Sequence, residues 1–530
     1  MVQINWQDLI QEKRAARDAL IPEKWKLPAD LTRKVSPEST CSAFDLLDEA
    51  ALLTVREKDI TENNTATSLT AKIASGELSS YDVAVAFCKR AAIVHQLTNS
   101  LTEIFFDKAL ERARWLDEYF AREGKTVGPF HGLPITLKDM INVKGEYSTM
   151  GFVGHIRHPV ATEHAVIAEM LEAAGAVFYS KTNVPQTLFS YNNVFGQMLN
   201  PYKLCLSPGG SSSGEAAQIG LRGSIMGVGS DIAGSVRVPA LFTGLFGFRP
   251  TVNCLPFSKQ AELASKGWQG VQPTLGPMVH TAEDLTLFMK TVIQAEPWRY
   301  DSTALAVPWH DAPRKDKLTI GVWHQDPDFP VYPPIARTIA SAVEKLKAAG
   351  HTIKVIEAPP TIKAMKIAMR WFALDQVNLP MQFLQNGEES PIVDLAAMDP
   401  AKFLDPGYVA DLNENIRISA DLHDYRHEWA KIWRDNGIDV LLCPASRGSA
   451  VPHGEFGSLN YTILWNLLDF PSSVVPFGKA DKIIDSRDGY DASVVDGAPT
   501  GFQLVGWRFQ DEQTLMATEV IADALKAGSE

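Results

Sequence analysis

The chain has 530 residues, 45% of them hydrophobic and 21% charged, and its 50 Lys and Arg against 63 Asp and Glu give a net charge of −13. This composition is typical of a large globular protein, and the acidic balance argues against nucleic acid as a partner, because phosphate binding needs clustered Lys and Arg. No apolar run is long enough to predict a membrane span, and no secretory signal is recognised at the start, so a cytoplasmic location is expected.

The first part of the chain, residues 1–70, is predicted to form a helical arm that packs on a larger domain over residues 71–530. Ser42 and Ser80 are expected N-caps, because serine hydroxyls accept hydrogen bonds from the first free backbone amides of a helix. Apolar residues at helical spacing predict helices over residues 6–20, 42–57, 68–75, 80–95 and 105–121.

From residue 133 onward, short apolar runs alternate with helical segments. Strands are predicted over residues 133–137, 176–179, 224–228, 318–322, 352–356 and 440–443. Helices at 163–174 and 335–349 each end at a glycine. Alternating strands and helices predict an α/β fold with a mixed β-sheet covered by helices on both faces.

Two later segments depart from this alternation. Residues 360–435 show no strand pattern and are predicted to form a helical insertion interrupted by prolines. The insertion either lines a substrate channel or only covers the sheet, and the sequence leaves both open. Residues 478–496 are polar and charged, which predicts a surface loop.

Three segments together contain the groups that acyl transfer needs without a histidine. Lys138 ends an apolar strand, so burial is expected to lower its pKa and make it a base. Ser211 lies in the serine-rich run 207–215, where it can relay a proton, aided by an unusual backbone state such as a cis bond before it. Ser235 lies in the glycine-rich loop 227–237, where successive backbone N–H groups can bind an oxyanion. The alternative for the lysine is a sheet-edge pair with Asp139.

Around these segments, the chain resembles the amidase signature family, most densely over residues 130–255. The N-terminal segments 87–92, 96–99 and 116–119 are similar to the fungal acetamidase or general amidase branch. The region of residues 188–200 also resembles fatty acid amide hydrolase. The further matching motifs are Lys181-Thr182-Asn183-Val184-Pro185-Gln186, Phe195-Gly196-Gln197, Asn200-Pro201, Pro297-Trp298-Arg299-Tyr300-Asp301-Ser302 and Gly501-Phe502-Gln503-Leu504-Val505-Gly506.

The resemblance implies a single large α/β domain around a twisted mixed sheet and a Ser–cis-Ser–Lys triad. In this chain the triad would be Lys138 as base, Ser211 as relay and Ser235 as nucleophile. The implied reaction converts a small-molecule amide into an acid and ammonia or an amine through an acyl-enzyme, without a cofactor or a metal. A homodimer is also implied by the family.

Further residues are expected to support this site. Asp231 and Arg237 flank residues 232–236, which we call the nucleophile loop, and are predicted to form an ion pair that shapes it. Leu188 and Phe189 align with residues that line the acyl site in relatives. Backbone amides are predicted to hold the oxyanion at four positions, Ile232, Ala233, Gly234 and Ser235.

Two residues depart from the family pattern. Ser213 and Ala233 each replace a glycine. Because alanine tolerates a positive φ poorly, the loop is expected to keep Ala233 in an ordinary backbone region, and its methyl group to affect substrate preference. Neither change removes a catalytic atom.

Several alternatives stay open at this point. The same triad could hydrolyse carbamates or esters, the chain could be an amidotransferase subunit, or it could bind a ligand without turnover. Residues 210–214 also match the GxSxG nucleophile elbow, with Ser212 as nucleophile, but that elbow needs a strand directly before it. No histidine or cysteine spacing indicates a metal site, and the five scattered cysteines indicate a reducing compartment.

Overall fold

A computed structural model describes residues 5–188, 195–265, 267–391, 403–455 and 459–526 of the chain. Within this described part, eleven strands form a single mixed sheet, in the spatial order β1-β3-β2-β4-β6-β5-β10-β11-β9-β7-β8. The strands are β1 (Leu101–Ile104), β2 (Pro134–Lys138), β3 (Val177–Thr182), β4 (Met226–Asp231), β5 (Phe246–Arg249), β6 (Thr274–Val279), β7 (Thr319–Val322), β8 (Thr352–Val355), β9 (Val440–Cys443), β10 (Ser472–Lys479) and β11 (Pro499–Val505).

Strand direction decides where the strand ends meet. β2 is parallel to both β3 and β4, whereas β6 is antiparallel to both β4 and β5. β10 is antiparallel to β5 and to β11. The carboxyl ends of β2, β3, β4, β5 and β11 therefore lie along one edge of the sheet, which we call the catalytic edge. Lys138, Asp231 and Arg249 are the last residues of three of these strands.

Helices surround the sheet and follow the amphipathic segments of the sequence. In the described part of the chain they are α1 (Trp6–Asp18), α2 (Ala29–Thr32), α3 (Ala43–Ala50), α4 (Val55–Glu62), α5 (Ala66–Ala74), α6 (Ser80–Thr98), α7 (Phe106–Glu123), α8 (Val166–Ala173), α9 (Ser213–Gly220), α10 (Arg237–Thr243), α11 (Ala282–Gln294), α12 (Pro333–Ala348), α13 (Thr361–Ala373), α14 (Leu379–Asn386), α15 (Leu412–Asn436), α16 (Asn460–Leu468) and α17 (Asp511–Lys526). The predicted mixed α/β architecture is confirmed.

The helices at the start of the chain differ from the prediction in two details. The block predicted over 42–57 is two helices, α3 and α4, because Ala51 takes a left-handed conformation and Thr54 begins α4 with a capping box. Ser42 caps α3 as predicted, but α6 is capped by Ser79 rather than Ser80.

The N-terminal segment packs directly on the body of the protein. Leu9 and Ile10 of α1 contact Val153 and Phe195 in a small apolar cluster. The expected division at residues 70/71 falls within α5, whose first backbone amides donate to the Asp284 carboxylate of α11. This helix therefore ties the arm to the body at the point where the sequence suggested a boundary.

Helices α13, α14 and α15 occupy the predicted insertion, and the described residues of 360–435 contain no strand. They bury an aromatic cluster that includes Trp429 of α15 against Trp465 of α16, with ring centroids 4.8 Å apart. Burial of such large rings is a major source of core stability. The insertion thus forms a second apolar core beside the one that covers the sheet.

None of the described helices combines the length and the apolar character that crossing a membrane would require.

Candidate active site

Glycines in β4 make room for the polar groups at the catalytic edge. The sequence predicted a strand that ends at residue 228, but β4 continues to Asp231, so residues 229–231 of the predicted loop also pair with β6. A Cβ atom on Gly227 would lie 1.9 Å from Glu215 Oε2, and one on Gly229 would lie 2.6 Å from Ser212 Oγ. Glycine is therefore required at these two positions because neighbouring side chains approach the strand closely. It is not required there to form a turn.

Lys138 ends β2 and is fully buried. Its Nζ lies 2.8 Å from Ser211 Oγ and 2.9 Å from Ser230 Oγ. The bond between Gly210 and Ser211 is cis, as the sequence analysis anticipated. Burial lowers the pKa of Lys138 to about 7, although Asp231 and Glu215 oppose this shift. A large fraction of the amine is therefore neutral near neutral pH.

The alternative partner of this lysine is engaged elsewhere. The Asp139 carboxylate accepts hydrogen bonds from the Thr102 hydroxyl at 2.8 Å and from the Thr149 hydroxyl at 3.1 Å. It also accepts one from the backbone amide of Met150. Among the described residues, no carboxylate lies within ion-pair distance of Lys138, so the proposed sheet-edge pair is not formed.

The two serine segments lie against each other. The Ser212 backbone amide donates to the Ser235 carbonyl at 3.1 Å, which fixes the serine-rich run beside the nucleophile loop. Ser235 is partly exposed and Ser211 is buried. Within the described part of the chain, the Ser235 hydroxyl has no hydrogen-bond partner, so it is free to meet a substrate.

The elbow alternative lacks its structural basis. Ser212 is fully buried and directly precedes α9. Leu206 forms an isolated bridge with Pro452, and no strand runs through the described residues 207–212. Ser212 is therefore not presented at the end of a strand, as a nucleophile elbow would require.

The nucleophile loop is shaped by its single left-handed residue. Gly234 has a φ of +122°, whereas Ala233 is not among the residues with positive φ, as expected for alanine. The Thr462 hydroxyl donates to the Ala233 carbonyl at 2.6 Å. The Gly234 amide donates to Asp231 Oδ1 at 2.8 Å, so this predicted oxyanion donor is already engaged. Among the described residues, the amides of Ile232, Ala233 and Ser235 have no acceptor.

Asp231 and Arg237 form the ion pair that their positions predict, at 3.0 Å, with both side chains fully buried. Arg237 also donates to Asn466 Oδ1, and Asn466 donates back to Asp231 Oδ1. Burial alone would raise the pKa of Asp231, but the Arg237 guanidinium outweighs it and holds this pKa well below its usual range. The carboxylate is therefore charged, and it binds the amides of Gly234 and Val236.

Glu215 is a site residue that the sequence analysis missed. It lies in α9, fully buried, and accepts hydrogen bonds from the Thr136 hydroxyl at 2.5 Å and the Thr182 hydroxyl at 2.9 Å. Burial raises the pKa of Glu215 to about 8, and the hydroxyls and Lys138 only partly offset this. A charged residue inside the serine-rich run was the available signal, because acidic side chains are rarely buried without a partner.

Replacing Glu215 with glutamine should leave the pH profile in place. Because burial raises the pKa of Glu215 to about 8, this side chain is largely protonated, and therefore uncharged, in the range where Lys138 titrates. We expect the acidic limb of kcat/KM in Glu215→Gln to stay near pH 7, as in the wild type. An exposed glutamate, Glu344, gives the control Glu344→Gln. A limb that moves to lower pH only in Glu215→Gln would show that Glu215 is charged in this range and raises the pKa of Lys138.

Of the remaining predicted residues, Leu188 is half-buried and packs against the main core cluster, in a left-handed conformation with φ of 60°. Phe189 lies outside the described residues. The Ser213 hydroxyl donates to the Gly209 carbonyl at 2.5 Å, so this departure from the family pattern stabilises the serine-rich run.

Among the described residues, no group of three or more His, Cys, Asp and Glu side chains could hold a metal ion.

The chain is similar to known proteins over most of its length. The family model described as Amidase matches residues 82–515, which is most of the chain. The chain belongs to the amidase family. A protein of Gibberella moniliformis called "Amidase" is 83% identical over 530 residues, covering 99% of this chain and 100% of the relative. The "Acetamidase" of Emericella nidulans is 36% identical, and the alignment covers 98% of each chain.

Solved structures share the fold. A structure titled "Fatty acid amide hydrolase" has a TM-score of 0.91 and 35% identity, covering 98% of this chain and 95% of that one. The native peptide amidase from Stenotrophomonas maltophilia has a TM-score of 0.69 at 22% identity, covering 88% and 97%. The second similarity concerns the fold alone. As a family member with relatives named amidase and acetamidase, the protein is an amide hydrolase.

Proposed function

We propose that the protein cleaves a carboxylic amide into an acid and ammonia or an amine through a triad of Lys138, Ser211 and Ser235. The observation that carries this proposal is the contact between a fully buried lysine amine and the Ser211 hydroxyl at 2.8 Å. A base that is neutral near pH 7 needs a buried, desolvated amine. The names of the relatives, amidase and acetamidase, support the same reaction class.

The proposed reaction begins with proton transfer along the triad. Neutral Lys138 takes a proton from Ser211 while Ser211 takes one from Ser235, and the Ser235 oxygen bonds to the amide carbon. The carbonyl electron pair moves onto its oxygen, where the amides of Ile232, Ala233 and Ser235 donate to it. The C–N bond then breaks, and the proton returns through Ser211 to the leaving nitrogen.

The second half of the reaction repeats these steps with water. Water gives a proton to the relay and attacks the acyl-enzyme, and the bond to Ser235 breaks to release the acid. Ser235 recovers its proton through Ser211, so Lys138 ends neutral. Each residue returns to its starting state, and neither half requires a redox partner.

A fluorophosphonate label tests the nucleophile. We expect a covalent adduct on Ser235, located by mass spectrometry, and its loss together with at least a ~10³-fold fall in kcat in Ser235→Ala. Ser341 is exposed on α12, so Ser341→Ala is a matched control that should keep both. An adduct on Ser212, or full activity in Ser235→Ala, would refute the proposed triad.

A further inference from the structure

A cavity of about 350 Å³ lies at the catalytic edge, on the side of β6 away from the triad. Its walls come from the segments that follow β5 and β11 and that precede β6 and β10, with α15 on the outer side. A second cavity of about 200 Å³ shares Arg426 and Arg508 with the first. We call the two cavities together the arginine pocket.

The arginine pocket carries more positive than negative charge. Asp469 already pairs with two arginines, Arg508 at 2.8 Å and the buried Arg249 at 2.9 Å. Arg426 reaches only the Leu467 carbonyl, at 3.5 Å, and no carboxylate of the described residues lies within ion-pair distance of it. Two of the three guanidinium groups therefore pair with Asp469, and Arg426 does not. Burial and, to a smaller extent, the positive charge of Arg508 lower the pKa of Arg426. An anion placed beside Arg426 would relieve this imbalance.

The rest of the lining is largely apolar. Trp371 and Leu422 line the larger cavity, and Phe470 and Trp507 line the smaller one. Arg426 and Arg508, which line both cavities, lie where the two cavities meet. A ligand that suits this arrangement has one anionic end for the guanidinium groups and a hydrocarbon part for the apolar walls.

We propose that the arginine pocket binds a monocarboxylate with an apolar chain. Its carboxylate would lie between Arg426 and Arg508, where guanidinium groups give charge-assisted hydrogen bonds. A small inorganic anion such as phosphate would leave the apolar walls uncovered. The acid that amide hydrolysis releases belongs to the proposed ligand class, but no residue of the triad lines the pocket.

The pocket is distinct from the triad yet lies next to the nucleophile loop. Asn466 lines the larger cavity and donates to Asp231 Oδ1 at 2.9 Å. Gln272 also lines the larger cavity. Two residues further along the chain, Thr274 begins β6 and pairs with Asp231 of β4. No residue of the triad lines either cavity, and Asn466 connects the larger cavity to Asp231 beside the nucleophile loop.

Calorimetric titration with octanoate tests this site on the full chain, with and without fluorophosphonate on Ser235. We expect the labelled and unlabelled proteins to bind octanoate in the pocket with affinities within about twofold. Arg426→Gln should weaken binding to the labelled protein at least ~10-fold, the loss expected for a charge-assisted hydrogen bond. Neutral octanamide should bind the labelled protein at least ~10-fold more weakly than octanoate. Arg434→Gln, an exposed arginine on the same helix, is the control that should change neither.

Three results would overturn the inference. Loss of all octanoate binding in the labelled protein would place the carboxylate in the acyl site. Unchanged octanoate binding in Arg426→Gln would show that this arginine does not bind the carboxylate. Phosphate that binds as tightly as octanoate would show that the apolar chain contributes nothing to the affinity. If no adduct forms on Ser235, the proposed triad fails instead, and octanoate titration of unlabelled wild type and Arg426→Gln still decides the pocket.

Discussion

Replacing Lys138 with methionine or alanine is expected to lower kcat/KM by at least ~10³-fold and leave the fold intact. The amine is the only base within reach of Ser211 among the described residues, and general bases contribute roughly 10²–10⁴-fold to rate. Methionine nearly fills the same volume, so the loss would report the missing amine rather than a cavity. Steady-state kinetics and circular dichroism on each variant provide the measurement.

Lys181 offers a matched control for this substitution. It is equally buried, on the neighbouring strand β3, but its amine contacts the Tyr147 carbonyl and the Ser148 hydroxyl. Lys181→Met should therefore lose stability and keep kcat/KM within about tenfold of wild type, since changes outside the reacting groups mostly affect folding. Equal losses in both variants would mean that any buried lysine supports the site and that Lys138 is not the base.

The same residue sets the sign of the pH dependence. Only the neutral amine accepts a proton, and the pKa of Lys138 is lowered to about 7. In the wild type, kcat/KM should therefore rise as pH increases through about 7 and level off above it. A profile that falls over this range would contradict a lysine base, whatever the substrate.

Strands that consist of a continuous apolar run could be predicted from the sequence. The polar residue that follows such a run could then be placed at the end of its strand. Lys138 could be placed because Leu133–Leu137 read as a buried strand, and the structure ends β2 at this lysine. The contact with Ser211 then followed from chemistry, because a buried amine needs a partner. Spacing along the chain could not show that Ser230 would be the second hydroxyl partner of this amine.

Other strands carry no such pattern. β5, β6 and β11 contain glycine or proline and are almost fully buried, so neither alternation nor a long apolar run identifies them. The glycines of β4 likewise suggested a loop, because glycine is uncommon inside strands. In the structure these glycines leave room for the side chains of Glu215 and Ser212. Such contacts join distant segments, and only the folded sheet brings them together.

Breaking the buried Asp231–Arg237 ion pair should affect stability and activity for two different reasons. Asp231→Ala should lower the free energy of unfolding by roughly 3–5 kcal/mol, because Arg237 would remain buried without its carboxylate. The same change removes the acceptor of the Gly234 and Val236 amides, so the nucleophile loop should lose its shape and kcat/KM should fall at least ~10²-fold. Chemical denaturation and steady-state kinetics measure the two effects.

The double variant Asp231→Ala/Arg237→Met decides which effect belongs to which residue. Replacing both charges with apolar groups is often neutral for folding, so the double variant should recover most of the lost stability. It should not recover activity, since the loop amides still lack their acceptor. Asp435→Ala, which breaks an exposed pair with Lys431, should change neither property. Recovery of full activity in the double variant would show that the pair only balances charge, and that Gly234 holds the loop in place without Asp231.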